Sequence, residues 1–215
     1  GDWSSDVCSS DLNGGISSRE AILLSDRITL SNLPKTSGQS WDAIRNGPLN
    51  AQVSTKLDGI EYKGEGHSIL GLHANAGITF DLSEIRKGSG INKFKLSANL
   101  GFGAAVGAAD SRADFLIYLD GDIALEARGI KKSSTLPIEL AIPAETQFLS
   151  FVAAEGDDGI GSDLLFLGDA RLFPDTQESR LSENATTELS HLQKEIGQLK
   201  NKINSLKASP RVFGI

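Results

Sequence analysis

The chain has 215 residues, 39% of them hydrophobic and 23% charged, with a formal net charge of −7. That balance excludes the clustered basic face of a nucleic-acid binder, and no apolar run approaches the roughly 20 residues a membrane-spanning helix needs. With 23 glycines and only 6% aromatic residues, the composition points to a strand-and-turn domain large enough for one core, plus an extension.

Residues 1–12 stand apart. Asp2-Trp3-Ser4-Ser5-Asp6-Val7-Cys8-Ser9-Ser10-Asp11-Leu12 back-translates directly into a common sequencing-library adapter, so this stretch is read as an artefact and not as native sequence. The one cysteine, Cys8, then carries no information on redox compartment. Three aspartates fewer leaves a net charge of −4 instead of −7. Residues 13–27 read as a linker or the end of an upstream domain, with a short helix over Arg19–Leu24.

Ile28-Thr29-Leu30 looks like a first strand, closed by Leu33-Pro34. From Lys35 to Gly66 the chain is rich in Ser, Gly, Asn and Pro, and is read as long loops carrying short strands, with Trp41 standing alone. Regular strand signals follow: Ile78–Leu82, Phe94–Ala98, Phe115–Leu119, Ile123–Ala127, Ile138–Ile142, Phe148–Ala153 and Leu164–Phe173. Asp120-Gly121-Asp122 between two of these runs is a hairpin turn signal. One helical turn is placed at Leu82–Arg86. Many short strands at this spacing, with no βαβ alternation, predict an antiparallel β-sandwich.

Past Pro174 the pattern changes. Leu189, Leu192, Ile196, Leu199, Ile203 and Leu206 recur at spacings of 3 and 4, the seam of a coiled coil with Leu189, Ile196 and Ile203 at a and Leu192, Leu199 and Leu206 at d. Ile at a with Leu at d favours two strands. In a parallel pair Glu195 meets Lys200, but Lys202 meets Lys207, so a homodimer and an intramolecular antiparallel partner both stand. A helix over Ser182–Lys207 would be about 39 Å long. The helix region is set at 176–208, and 209–215 reads as the truncated start of a following segment.

Candidate chemistry sits in a few places. The acidic loop Asp157-Asp158-Gly159-Ile160-Gly161-Ser162-Asp163 offers oxygen ligands to a hard cation such as Ca²⁺, with Asp157 and Asp158 the candidate ligands. The alternative is that these aspartates brace a turn. It lacks the ligand spacing of an EF-hand. Glu155, Asp157 and Asp163 lie too close in sequence to flank a sugar ring as a glycosidase pair. Gly101-Phe102-Gly103-Ala104-Ala105-Val106-Gly107 misses the dinucleotide fingerprint by one position and is read as a loop. His73 suits fixing two backbone groups. The three histidines lack zinc-site spacing. Trp41 is either a sugar-stacking face or a core anchor.

Two motifs carry a resemblance. Leu70-Gly71-Leu72-His73-Ala74, together with the acidic turn and the later Asp169-Ala170-Arg171-Leu172, resembles the NPCBM/NEW2 module, the "novel putative carbohydrate-binding module" found attached to glycoside hydrolase family 98 enzymes and in large bacterial secreted proteins. The likeness covers residues 28–173. It implies a mainly β, galactose-binding-like antiparallel sandwich (jelly roll), which the coiled-coil helix read from the heptad spacing then follows. It also implies non-catalytic binding of a glycan or polysaccharide and an extracellular or periplasmic location. Trp41, His67, His73 and Asp163 are the carbohydrate-binding candidates. The chain departs from the pattern where Ser162-Asp163-Leu164-Leu165-Phe166-Leu167 replaces Tyr-Asp-His-Ala-Asp-Trp, and where Gly103-Ala104 replaces an acidic pair. The competing expectation is a sandwich that has lost its sugar site and serves as a spacer or docking domain beside the coiled coil.

Overall fold

The computed structural model describes residues 7–11, 22–25, 28–41, 44–50, 54–103, 110–132, 134–175, 188 and 190–203. The chain divides into two compact units, Gly1–Pro174 and Asp175–Ile215. In the first, the strands are β1 (Val7–Asp11), β2 (Ile22–Ser25), β3 (Ile28–Leu30), β4 (Ile44–Asn46), β5 (Lys56–Leu57), β6 (Ile60–Glu61), β7 (Ile69–His73) and β8 (Ala76–Asp81). After helix α1 (Leu82–Ser89) come β9 (Phe94–Phe102), β10 (Arg112–Leu119), β11 (Asp122–Lys131), β12 (Thr135–Ile142), β13 (Phe148–Glu155) and β14 (Leu164–Pro174).

Two five-stranded sheets form, ordered β1-β8-β13-β10-β11 and β12-β9-β14-β7-β4, and their ladders are antiparallel. From β7 onward consecutive strands alternate between the sheets, except for the β10–β11 hairpin. Phe94, Leu96, Ala98 and Leu100 of β9 point inward with polar residues between them. They meet Phe115, Ile117, Phe151 and Ala153 of the facing sheet in the principal core. Fully burying each such Leu, Ile or Phe contributes roughly 1.5–3 kcal/mol.

Strands β10 and β13 break the alternation, since nearly all their residues are buried. The cause is tertiary. Ile28, Leu30 and Leu33 cover Leu116, Tyr118, Phe148 and Val152 on the outer face of the first sheet. On the second sheet, Leu57 and Tyr62 cover Ile69 and Phe166. Room for Tyr62 exists because residue 168 is glycine: a Cβ there would lie 2.4 Å from the Tyr62 ring. At the hairpin, Asp120 (φ 51°) and Gly121 (φ 91°) take the left-handed conformations that a two-residue turn demands. Asp120 also accepts bonds from the Gln147 and Phe148 amides.

Several expectations shift. The helix placed over Arg19–Leu24 is overturned for its described part: Ile22–Ser25 is a strand laddered to β3, because a short apolar run gains more from cross-strand pairing than from one isolated helical turn. The helical turn at Leu82–Arg86 runs on to Ser89, capped by the Asp81 side chain and stopped at Gly90 in the left-handed conformation. His73 is the last residue of β7, three residues before β8 begins. Val7–Asp11, inside the segment read as adapter-derived, lies along β8. An open sheet edge accepts any extended segment through main-chain groups, so this pairing needs no particular sequence.

In the second unit, residues 188 and 190–203 are helical. Leu192, Ile196, Leu199 and Ile203 are exposed along it. Leu189 and Leu206 of the expected seam lie outside the described residues. Among the described residues no helix is long and apolar enough to cross a membrane.

Candidate functional site

Register places three connections at one end of the sandwich. Leu164 stands opposite His73, Ala153 opposite Ala76, Leu165 opposite Phe102, and Ala113 opposite Glu155. The β7–β8 turn, the acidic β13–β14 loop and the start of β10 therefore meet there. The segment carrying Trp41 is pinned to the same end.

The pin is a buried polar network. The Asn75 side chain donates to the Gln39 carbonyl (2.7 Å) and to Glu155 Oε2 (3.2 Å), and its Oδ1 accepts from the Glu155 amide (2.9 Å). Glu155 also accepts from the Ser37 amide, and from Ser37 Oγ at 2.7 Å. Asn75 and Glu155 are both buried. Residues 37–39 are thus fixed to two strand ends, and Trp41 two residues on is held by geometry.

Trp41 is 53% exposed, and its ring stands edge-on to that of His73, 5.1 Å between centroids at 83°. The sequence left core anchor and exposed platform as equals; the structure places Trp41 on the surface. His73 is buried, and its Nδ1 donates to the Ala74 carbonyl at 2.6 Å. Burial lowers the pKa of the ring, partly opposed by that bond. A neutral imidazole results, with its lone pair on Nε2.

Asp163 is fully buried at the foot of the acidic loop, where its carbonyl accepts from the Ala74 amide. Neither carboxyl oxygen has a hydrogen-bond partner among the described residues. Burial pushes its pKa up to about 8, reinforced by the charges of Asp158, Glu155 and Asp114. Asp157 is different: 88% of its side chain is exposed, 3.9 Å from the Arg112 guanidinium. Gly159 and Ser162 take positive φ in the loop (84° and 66°), and Ser111 Oγ bonds the Gly161 carbonyl. Among the described residues no three His, Cys, Asp or Glu side chains converge as metal ligands.

His67 belongs elsewhere. It lies before the other end of β7, about 20 Å of strand from His73 at 3.3 Å per residue. Its Nδ1 meets Asp169 Oδ2 at 2.7 Å, and its ring lies 5.2 Å from that of Tyr62. Of the four carbohydrate-binding candidates, the structure therefore brings together Trp41, His73 and Asp163 and leaves His67 apart. Sequence reasoning missed Ser37 and Asn75, and weighed Glu155 only as a glycosidase carboxylate, not as an anchor for the Trp41 segment. A buried Asn in a two-residue turn between apolar strands was the one available signal.

A hydrolytic reading finds no support at this end. Glu155 is consumed by Ser37 and Asn75, and Asp163 is sealed from solvent, so neither carboxyl faces a sugar ring as an acid or nucleophile must.

No protein-family model and no curated protein matches the chain. Among solved structures it is similar to the CBM51 module of GH95 from Clostridium perfringens in complex with methyl-galactose. Identity is 20%, covering 60% of this chain and 87% of that one, with a TM-score of 0.48. It is also similar to the tandem CBM51 modules of the family 98 glycoside hydrolase from Streptococcus pneumoniae (22%; 57% and 36%; 0.44). A third similarity is to the CBM51-2 and INT domains of Clostridium perfringens ZmpB in complex with GlcNAc (16%; 60% and 27%; 0.46).

Proposed function

We propose that the sandwich is a non-catalytic carbohydrate-binding module whose platform is Trp41, serving a larger protein outside the cytoplasm. The observation that carries this reading is a large aromatic face left exposed on a segment tied by side-chain bonds to the buried Asn75 and Glu155. An exposed Trp on a rigid support offers the C–H side of a pyranose an apolar surface at low entropic cost. Polar groups of the surrounding loops supply bonds to hydroxyls. Binding here breaks no bond.

The exposed stripe Leu192, Ile196, Leu199 and Ile203 supports a second role for the chain, association through a coiled coil with another copy or another segment.

Isothermal titration of the full chain against a glycan panel tests the first reading. Trp41→Ala is expected to weaken binding roughly ten-fold or more with the far-UV circular dichroism unchanged. Undiminished affinity in that variant, or turnover of a glycan, would overturn the proposal. Absence of binding across the panel would favour the spacer alternative.

A further inference from the structure

We infer that the C-terminal helix joins two copies of this chain, packing antiparallel against the same helix of a second copy. Along its described part the helix exposes Leu192, Ile196, Leu199 and Ile203, each between 49% and 59% accessible. The stretch 190–203, with Gly197 inside it, is only marginally stable alone in water. Covering that apolar stripe is what such a segment gains from a partner. Nowhere else among the 215 residues do apolar residues recur at heptad spacing over two heptads. The matching stripe within this sequence is therefore the same one on a second copy.

Turned antiparallel, the stripe is its own complement. Leu192 faces Ile203 of the second copy and Ile196 faces Leu199, so every layer pairs one Ile with one Leu, related by a twofold axis. Charge then sets the direction. Glu195 and Lys202 run along one flank of the stripe, Gln193 and Lys200 along the other, all of them exposed. In the antiparallel pair each Glu195 reaches Lys202 of the other copy, giving two attractive contacts. On the opposite flank Lys200 lies between Gln193 and Lys200 of the second copy, so one like-charge contact arises at most. In a parallel pair Glu195 meets Lys200 twice, but Lys202 meets Lys207 twice by heptad position. Both directions gain the same attraction and the parallel one carries more repulsion. Antiparallel helix dipoles add to the preference, and no Asn stands at 196 or 203 to impose a parallel register.

This inference deepens the coiled-coil association proposed above and rests on that reading. Its consequence for binding is avidity: two sandwiches per assembly hold a repetitive polysaccharide more tightly than one, because the first contact raises the local concentration of the second site. That consequence also rests on the glycan reading; the pairing itself does not.

Analytical ultracentrifugation of the full chain across a concentration series tests the pairing. A particle of twice the chain mass is expected, and Ile196→Asp is expected to raise its Kd roughly a hundred-fold with the strand signature in circular dichroism kept. Lys202→Glu reads the direction. In the antiparallel pair the introduced carboxylate faces Glu195, so the Kd rises several-fold at low salt, and adding Glu195→Lys restores it. In a parallel pair the same carboxylate faces Lys207 and the Kd falls. A chain monomeric throughout the series, or a dimer indifferent to Ile196→Asp, would overturn the inference. Tighter pairing in Lys202→Glu would overturn the antiparallel arrangement and leave coiled-coil association standing. No sugar enters these measurements, so a failed glycan reading leaves the result intact.

Discussion

The two ends of β7 hold a histidine each and use it in opposite ways. His67 sits partly exposed beside Asp169. Burial alone would raise the Asp169 pKa, but the His67 ring and the Ser68 amide outweigh it and lower the pKa. Every oxygen of that carboxylate is engaged. His73 is buried and neutral beneath an exposed Trp, next to a carboxylate with no partner at all among the described residues. A satisfied pair of this kind is how a fold closes its own surface. A buried carboxyl left without a partner, beside an exposed aromatic, is the feature that singles out this end as the candidate site.

The sharpest way to break that comparison is glycan affinity. Trp41→Ala should weaken binding roughly ten-fold or more, while His67→Ala leaves it unchanged; equal losses would mean the wrong end has been chosen. Next in size is Asn75→Ala. It strips Glu155 and Gln39 of their buried partners and should cost about 2–4 kcal/mol in denaturant unfolding.

The pH dependence of stability follows. The folded Asp163 carboxyl keeps its proton up to about pH 8, whereas the unfolded one releases it near 4. Between those values the unfolded state binds fewer protons, so stability falls as pH rises, by up to about 1.4 kcal/mol per unit. Asp163→Asn should abolish that fall. His73 acts with the other sign. Its lowered pKa means that below about pH 6.5 the unfolded chain takes up a proton the native ring refuses, so stability drops as pH falls. Melting curves from pH 4 to 9 read both limbs. Smallest of all, Asp169→Ala should cost about 1 kcal/mol with no change in glycan binding.

Much of this architecture was legible along the chain. Period-two alternation marked β9, and Asp120-Gly121 marked the hairpin because few residues other than Gly, Asn and Asp tolerate its left-handed backbone. The 3-and-4 apolar spacing of the C-terminal helix was equally plain, and Leu192, Ile196, Leu199 and Ile203 are exposed along its described part. Strand β2 was misjudged, since Ile22-Leu23-Leu24 is apolar enough for either structure and only pairing with β3 decides.

The site was less legible for a definite reason. Local sequence determined that residues 157–163 form an acidic turn and that Trp41 sits in a loop. Opposing Leu164 to His73 and Glu155 to Ala113 was a decision of the tertiary structure. That register sealed Asp163 away from water, drew Asn75 between Gln39 and Glu155, and left Trp41 outside. Burial is a property of what lies opposite, and residues dozens of positions away supply it.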